Sequence, residues 1–257
     1  MKKNTLIEVK NLTKHFKHKS QTIIAIDNIS FDIEKGTTLG LVGQSGSGKT
    51  TLAKTLLHLH PATSGSVFFN NENIFHMKKK KIKSIRQQMQ VIFQDPFSSL
   101  NPRMSAEEII IEPLIIHKLY KREVAKQKVD KLLDLVGLSK NAKNRFPHEF
   151  SGGQRQRIGI ARSLATTPSF IICDEPVSSL DISTQSQIIK LLLDLQQQFN
   201  LTYLFIAHDL NVVKHISHRV IVMYKGKIVE KDTTDNIFNN PSHPYTQKLL
   251  SQQTLYN

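Results

Sequence analysis

Polar and apolar residues alternate along Asn28-Ile29-Ser30-Phe31-Asp32-Ile33 and again at Ile7-Glu8-Val9. A period of two predicts strands with one face buried and one in water, so an antiparallel layer is expected early in the chain. A second pattern follows in Leu39-Gly40-Leu41-Val42, Phe170-Ile171-Ile172-Cys173 and Tyr203-Leu204-Phe205-Ile206-Ala207, which are unbroken apolar runs ending at glycine or polar residues. Such runs fit a parallel sheet covered on both faces. Helical spacing appears at Val129, Leu132, Leu133 and Val136, and at Ile188, Leu192, Leu195 and Phe199. Residues 102–162 carry helical pattern and no strong strand. A helical subdomain is expected there, flanked by a strand-bearing core of 1–101 and 163–257. Near the end, Val220 to Val229 reads as two strands joined by a Lys225-Gly226 turn. The fold class is therefore α/β, a parallel-sheet core with an antiparallel edge layer and an inserted helical subdomain.

The 257 residues suffice for one large α/β domain. No apolar run approaches the roughly 20 residues that span a bilayer, and the first residues lead into a strand pattern rather than a signal-peptide core. A cytoplasmic protein is expected. The lone Cys173 lies inside an apolar run, which reads as a small core residue and excludes an internal disulfide. A net charge of +14 permits nucleic acid, anionic lipid or nucleotide phosphates as partners without choosing among them. The densest basic run, Lys78-Lys79-Lys80-Lys81-Ile82-Lys83, has no interleaved aromatics to stack bases, so it reads as a solvated segment, with contact to anionic membrane headgroups as the alternative. The histidine pairs His58/His60 and His215/His218 have no carboxylate or cysteine cluster beside them and read as surface or packing residues.

Residues 43–50, GQSGSGKT, complete the phosphate-loop pattern between an apolar strand and a helical stretch. Gly43, Gly46 and Gly48 let the backbone curl so that successive N–H groups face phosphate oxygens, and the following helix adds its positive end. The phosphate-binding candidates are Gly43, Gln44, Ser45, Gly46, Ser47, Gly48, Lys49, Thr50 and Thr51. Lys49 is suited to the β- and γ-phosphates and the Thr50 hydroxyl to Mg²⁺. A second half-site is Phe170 to Cys173 followed by Asp174-Glu175-Pro176. Asp174 falls at the carboxyl edge of a buried strand, where such sheets bind ligands, and suits Mg²⁺. Glu175 is placed to take a proton from an attacking water. ATP and Mg²⁺ are the expected substrate and cofactor.

The phosphate loop alone leaves many NTPases open; Ser151-Gly152-Gly153-Gln154-Arg155, within FSGGQRQR, narrows them. Ser151 can N-cap the helix that follows, and two glycines let its start approach an anion. This run resembles the signature of the ABC ATPase family. Several other segments resemble family motifs in the family's order: Gln94 the Q-loop glutamine, Ser178-Ser179-Leu180-Asp181 the D-loop, His208 the switch histidine and Phe16 the adenine-stacking position. The resemblance implies that Gln94 touches the metal and the attacking water, that His208 contacts the γ-phosphate, and that Ser151 to Gln154 close the nucleotide site of a partner subunit. Gln94-Asp95-Pro96-Phe97-Ser98-Ser99-Leu100-Asn101-Pro102-Arg103 and His243-Pro244-Tyr245-Thr246 are similar to segments of oligopeptide, dipeptide and nickel importer ATPases, and FSGGQRQR is similar to their F-type. Family members in this group often continue into a cysteine-bearing tail that has no counterpart after HPYT here, which leaves peptide against metal cargo open.

The implied protein is the ATP-hydrolysing subunit of a membrane importer, with oligopeptides or dipeptides as cargo and nickel or another metal chelate as the alternative. Implied partners are a second ABC ATPase (a heterodimer, or a homodimer), two transmembrane permeases and, indirectly, an extracytoplasmic substrate-binding protein. No nucleic acid is expected, and the location is peripheral, on the cytoplasmic face of the membrane. The rival class is a soluble ABC ATPase acting on nucleic acid or the ribosome. Chromosome-type members carry long insertions between these motifs and translation-type members carry two cassettes; this chain has neither feature.

Overall fold

In chain order the elements are β1 (Thr5–His18), β2 (Gln21–Glu34), β3 (Thr38–Val42), α1 (Lys49–Leu56), β4 (Ser64–Phe69), β5 (Glu72–Asn73), α2 (Lys79–Gln88), β6 (Met89–Ile92), α3 (Ala106–Ile116), α4 (Arg122–Leu135), α5 (Gly152–Leu164), β7 (Phe170–Asp174), α6 (Ile182–Phe199), β8 (Thr202–Ile206), α7 (Leu210–Ile216), β9 (Arg219–Tyr224), β10 (Lys227–Thr233), α8 (Thr234–Asn239) and α9 (Pro244–Thr254). The structure is a computed structural model and describes residues 4–18, 21–95 and 97–254. It divides into one unit of residues 1–82 and 202–257 and another of residues 83–201.

The first unit holds the antiparallel layer, in the order β2-β1-β4-β5. The period of two is visible in its burial: Ile7, Val9, Ile29, Phe31 and Ile33 turn inward. Asn11 and Asn28 adopt left-handed backbone (φ 47° and 50°), a conformation asparagine tolerates, where β1 and β2 slip register. Ser30 Oγ steadies the first of these, accepting the Asn11 N–H at 2.8 Å and donating to Asn11 Oδ1 at 3.0 Å. Beside this layer, β3 pairs in parallel with β8 on one side and β9 on the other. All residues of β3 and β8 are buried, as unbroken apolar runs require. β10 returns antiparallel to β9 through Lys225 (φ 46°) and Gly226 (φ 81°), the two positive φ values of a tight hairpin turn.

In the second unit, β6 and β7 pair in parallel, and α3, α4 and α5 occupy the stretch between them. Val129, Leu132, Leu133 and Val136 are buried, as their spacing predicts. On α6, Ile188, Leu192 and Leu195 are buried while Phe199 is 45% exposed. Phe199 is the last residue of that helix, where the chain turns away at Asn200 (φ 51°), so the apolar stripe stops one turn earlier than its spacing suggests. Likewise β6 ends at Ile92, and Phe93 lies beyond it, 41% exposed. α3 opens on a capping box in which Ser105 and Glu108 bond each other's backbone N–H. The lysines of the basic run whose side chains are described lie on the surface, and Lys81 pairs with Glu72.

Candidate functional site

In the first unit, β3 delivers the chain into the phosphate loop. Gly43 sits at φ 151°, and a Cβ there would lie 2.3 Å from the Met223 carbonyl oxygen; one on Gly48 (φ 108°) would lie 2.3 Å from the Ala25 carbonyl. Neither position can carry a side chain, because the obstacle is backbone. The loop is also tied from behind, since the Gly226 N–H donates to the Ser47 carbonyl at 3.0 Å. α1 then begins at Lys49 with Gly48 as its N-cap, a residue with no side chain to occupy the helix's first N–H groups. Helix-start amides left without a side-chain cap are able to bind an anion.

Lys49 is 5% exposed, and its ammonium donates to the Gly43 carbonyl at 2.6 Å and the Gln44 carbonyl at 3.2 Å. The cation is thereby folded over the concavity of its own loop. Ser47 Oγ is buried without a hydrogen-bond partner among the described residues, whereas Gln44, Ser45, Gly46 and Thr50 face the surface and Thr51 is half-buried. His208 is exposed just past β8, before Asp209, which caps α7 by accepting the Asn211 N–H. Phe16 lies half-buried on β1, with the Lys14 ammonium 4.7 Å from its ring centroid and the His60 ring edge-on to it.

In the second unit, the four apolar residues of β7 are buried and Asp174 emerges half-buried at its end. Glu175 follows at φ 51°, 6% exposed, a left-handed backbone unusual for glutamate. The turn is fastened by Ser178, whose N–H and Oγ both donate to the Glu175 carbonyl. Gln94 is exposed immediately after β6. Next to it, the Asp95 carboxylate accepts the Phe97 N–H, and that bond, with others from Ser98, holds its pKa below the ordinary value.

Ser151 caps α5: its Oγ accepts the Gln154 N–H, and Gln154 Oε1 accepts the Ser151 N–H. Gly152 faces Leu180, and Gly153 faces Thr184 in the first turn of α6. A Cβ on Gly152 would lie 3.2 Å from Leu180 Cδ2, and one on Gly153 2.4 Å from Thr184 Cγ2. Thr184 is itself fixed by Asp181, which accepts from its N–H at 2.9 Å and its Oγ1 at 2.8 Å, as well as from Ser183 Oγ. These hydrogen bonds, that from Ser183 foremost, hold the Asp181 carboxyl well below the usual carboxylate range. Two arginines of α5, Arg155 from the signature run and Arg162, which no motif singled out, touch the segment after Gln94. The Arg155 guanidinium lies 5.0 Å from the Phe97 ring centroid, and Arg162 Nη1 donates to the Ser99 carbonyl at 2.6 Å. The motif reading also missed Tyr245, whose hydroxyl accepts the Gln44 N–H of the phosphate loop at 3.0 Å. Its only sequence signal was membership of the HPYT segment.

Among the described residues no group of three or more His, Cys, Asp or Glu is placed to hold a metal, and no helix is long and apolar enough to cross a membrane. The donors anticipated for Mg²⁺, a threonine hydroxyl, one carboxylate and an amide oxygen, are few and all oxygen. They suit an ion that keeps waters and phosphate oxygens in its shell.

The model of the ABC transporter family matches residues 26–178, and the chain belongs to that family. It is an ATP-hydrolysing cassette with the family's α/β fold. It is 55% identical over 248 residues to the oligopeptide transport ATP-binding protein OppF of Bacillus subtilis (strain 168), covering 96% of this chain and 81% of that one. It is 49% identical over 255 residues to the oligopeptide transport ATP-binding protein AppF of the same organism, covering 96% and 78%. Among solved structures it resembles a dimeric ATP-binding cassette in a post-hydrolysis state bound to ADP and Pi, with TM-score 0.79, 29% identity, and 89% of this chain and 99% of that one covered. It also resembles cbiO1 from Clostridium perfringens, part of the ABC transporter complex cbiONQ, with TM-score 0.81, 25% identity and coverage of 98% and 96%.

Proposed function

We propose that this chain hydrolyses ATP at the cytoplasmic face of a membrane to drive peptide import, as one of two ATPase subunits bound to two permeases. The observation that carries the reading is the phosphate loop, a backbone-framed concavity with an uncapped helix start and a buried lysine, in a chain about half identical to oligopeptide transport ATP-binding proteins.

In this reading the loop amides beyond Gln44, up to residue 51, and the Lys49 ammonium hold the phosphates, and adenine stacks on Phe16. Thr50, Asp174 and Gln94 would hold Mg²⁺, which would supply neutralisation of phosphate charge. Glu175 accepts a proton as the water oxygen bonds to the γ-phosphorus and the bond to the ADP oxygen breaks. Lys49 and His208 stabilise the charge that develops on the γ-phosphate. Ser151, Gly152, Gly153 and Gln154 complete the site of the second ATPase, so each subunit closes the other's site. The exposed apolar side chains Phe93 and Phe97, which flank Gln94 in sequence, support a permease-facing surface there.

The reading predicts that Glu175→Gln retains ATP binding and loses about 100-fold or more of turnover, the scale of a general base. Normal turnover in that variant, measured by phosphate release in the assembled transporter, removes Glu175 from the role. Lys49→Ala is expected to weaken ATP binding; an unchanged dissociation constant in nucleotide titration counts against the phosphate site itself.

A further inference from the structure

The frame of the phosphate loop includes a segment that the hydrolysis chemistry does not use. Glu230 on β10 accepts hydrogen bonds from the Ser242 N–H at 2.7 Å, the Ser242 Oγ at 2.8 Å and the His243 N–H at 3.1 Å. His243 Nδ1 in turn accepts the Tyr245 N–H at 3.1 Å. Anchored in this way, the start of α9 lays the Tyr245 ring on Tyr224, with centroids 4.3 Å apart. From there Tyr245 Oη accepts the Gln44 N–H at 3.0 Å. Gln44 follows Gly43, which is pressed against the Met223 carbonyl, and Tyr224 follows Met223. Two successive residues of the loop therefore meet the end of β9, Gly43 through the Met223 carbonyl that leaves it no room for a side chain and Gln44 through a phenol whose ring lies against Tyr224.

We infer that Tyr245 is a positioning residue for the phosphate site: by holding the Gln44 amide it keeps the loop curled for phosphate and raises its affinity for ATP. The inference rests on the reading of residues 43–51 as the phosphate site. A glycine-rich loop has many conformations to lose on binding, and one tether at its mouth removes part of that cost beforehand. The bond lies at the surface, so its removal should alter loop order more than global stability.

The test is Tyr245→Phe, which keeps the ring against Tyr224 and deletes only the acceptor. On the purified full chain, displacement of a fluorescent ATP analogue should give an ATP dissociation constant raised about two- to tenfold, the scale of one ordinary hydrogen bond. Hydrogen exchange at the Gln44 amide should quicken while the thermal midpoint holds. A dissociation constant equal to wild type overturns the proposal, and so does a rise that merely accompanies a fall in thermal midpoint. Lys49→Ala, measured alongside, separates the two readings. If Lys49→Ala weakens binding and Tyr245→Phe does not, only the tyrosine's role fails. If neither does, the phosphate site has been misplaced.

Discussion

Gly153 and Gly159 lie on the same helix, α5, in opposite surroundings. A Cβ added at Gly159 meets nothing within 4 Å, whereas at Gly153 it lands 2.4 Å from Thr184 Cγ2. Gly159→Ala should stabilise the protein by about 0.5–1 kcal/mol, because it removes backbone freedom from a helix interior at no steric cost. Gly153→Ala should lower the thermal midpoint, since Thr184 is held in place by two bonds to Asp181 and yields poorly. Equal midpoints for the two variants would contradict this difference in packing.

Asp181 also permits a pH prediction. Its folded pKa lies below the unfolded one, so the stability its cap adds is fully present above the unfolded value of about 3.9, fades as pH falls from there, and is lost once pH has fallen through the folded value. Its carboxyl carbon should stay ionised in an NMR titration at about pH 3, where ordinary carboxylates are mostly protonated. Cys173 is completely buried in β7, and burial, aided by the neighbouring Asp174, pushes its thiol pKa up. Native protein should resist alkylation and react once denatured; rapid native labelling would show that β7 opens.

At the level of elements, much of the architecture was legible in advance. The alternation at Ile7 to Val9 and Asn28 to Ile33 located the half-exposed layer, and the unbroken runs located β3, β7 and β8, because burial on one face or two leaves a direct mark on residue order. Ser151 was readable as a cap because capping is local, its partner Gln154 lying three residues on. Ser151→Ala should cost about 1 kcal/mol by calorimetry, as the loss of a good N-cap does. The failure was also local in cause. Spacing placed Phe199 on a buried stripe, but it sits where its element ends, and periodicity carries no information about where the neighbouring surface stops.

At the scale of the whole molecule, the residue types of the candidate site could be read, but not the contacts that shape it. The glycines of the phosphate loop announced themselves, yet Met223, Ala25 and Gly226 behind them, and Tyr245 beside Gln44, are remote in sequence and follow no periodic pattern. The same holds for Thr184 against Gly153. At this scale the proposed assembly is tested by mild membrane solubilisation and affinity capture of the chain. Two multi-spanning proteins and a second ATPase should accompany it, and recovery with ribosomes or nucleic acid in their place would overturn the transport role.

In the wall behind the phosphate loop, the closest obstacles to Gly43 and Gly48 are main-chain carbonyl oxygens, and a main-chain amide ties Ser47 beside them. An alanine scan across Met223 and its neighbours can therefore leave that wall standing while every side chain is stripped from it. Residue identity there should drift more freely than segment length. One residue inserted into the Lys225-Gly226 turn would shift the amide that meets Ser47, and it should disturb nucleotide binding more than the exchange of any single side chain along that wall.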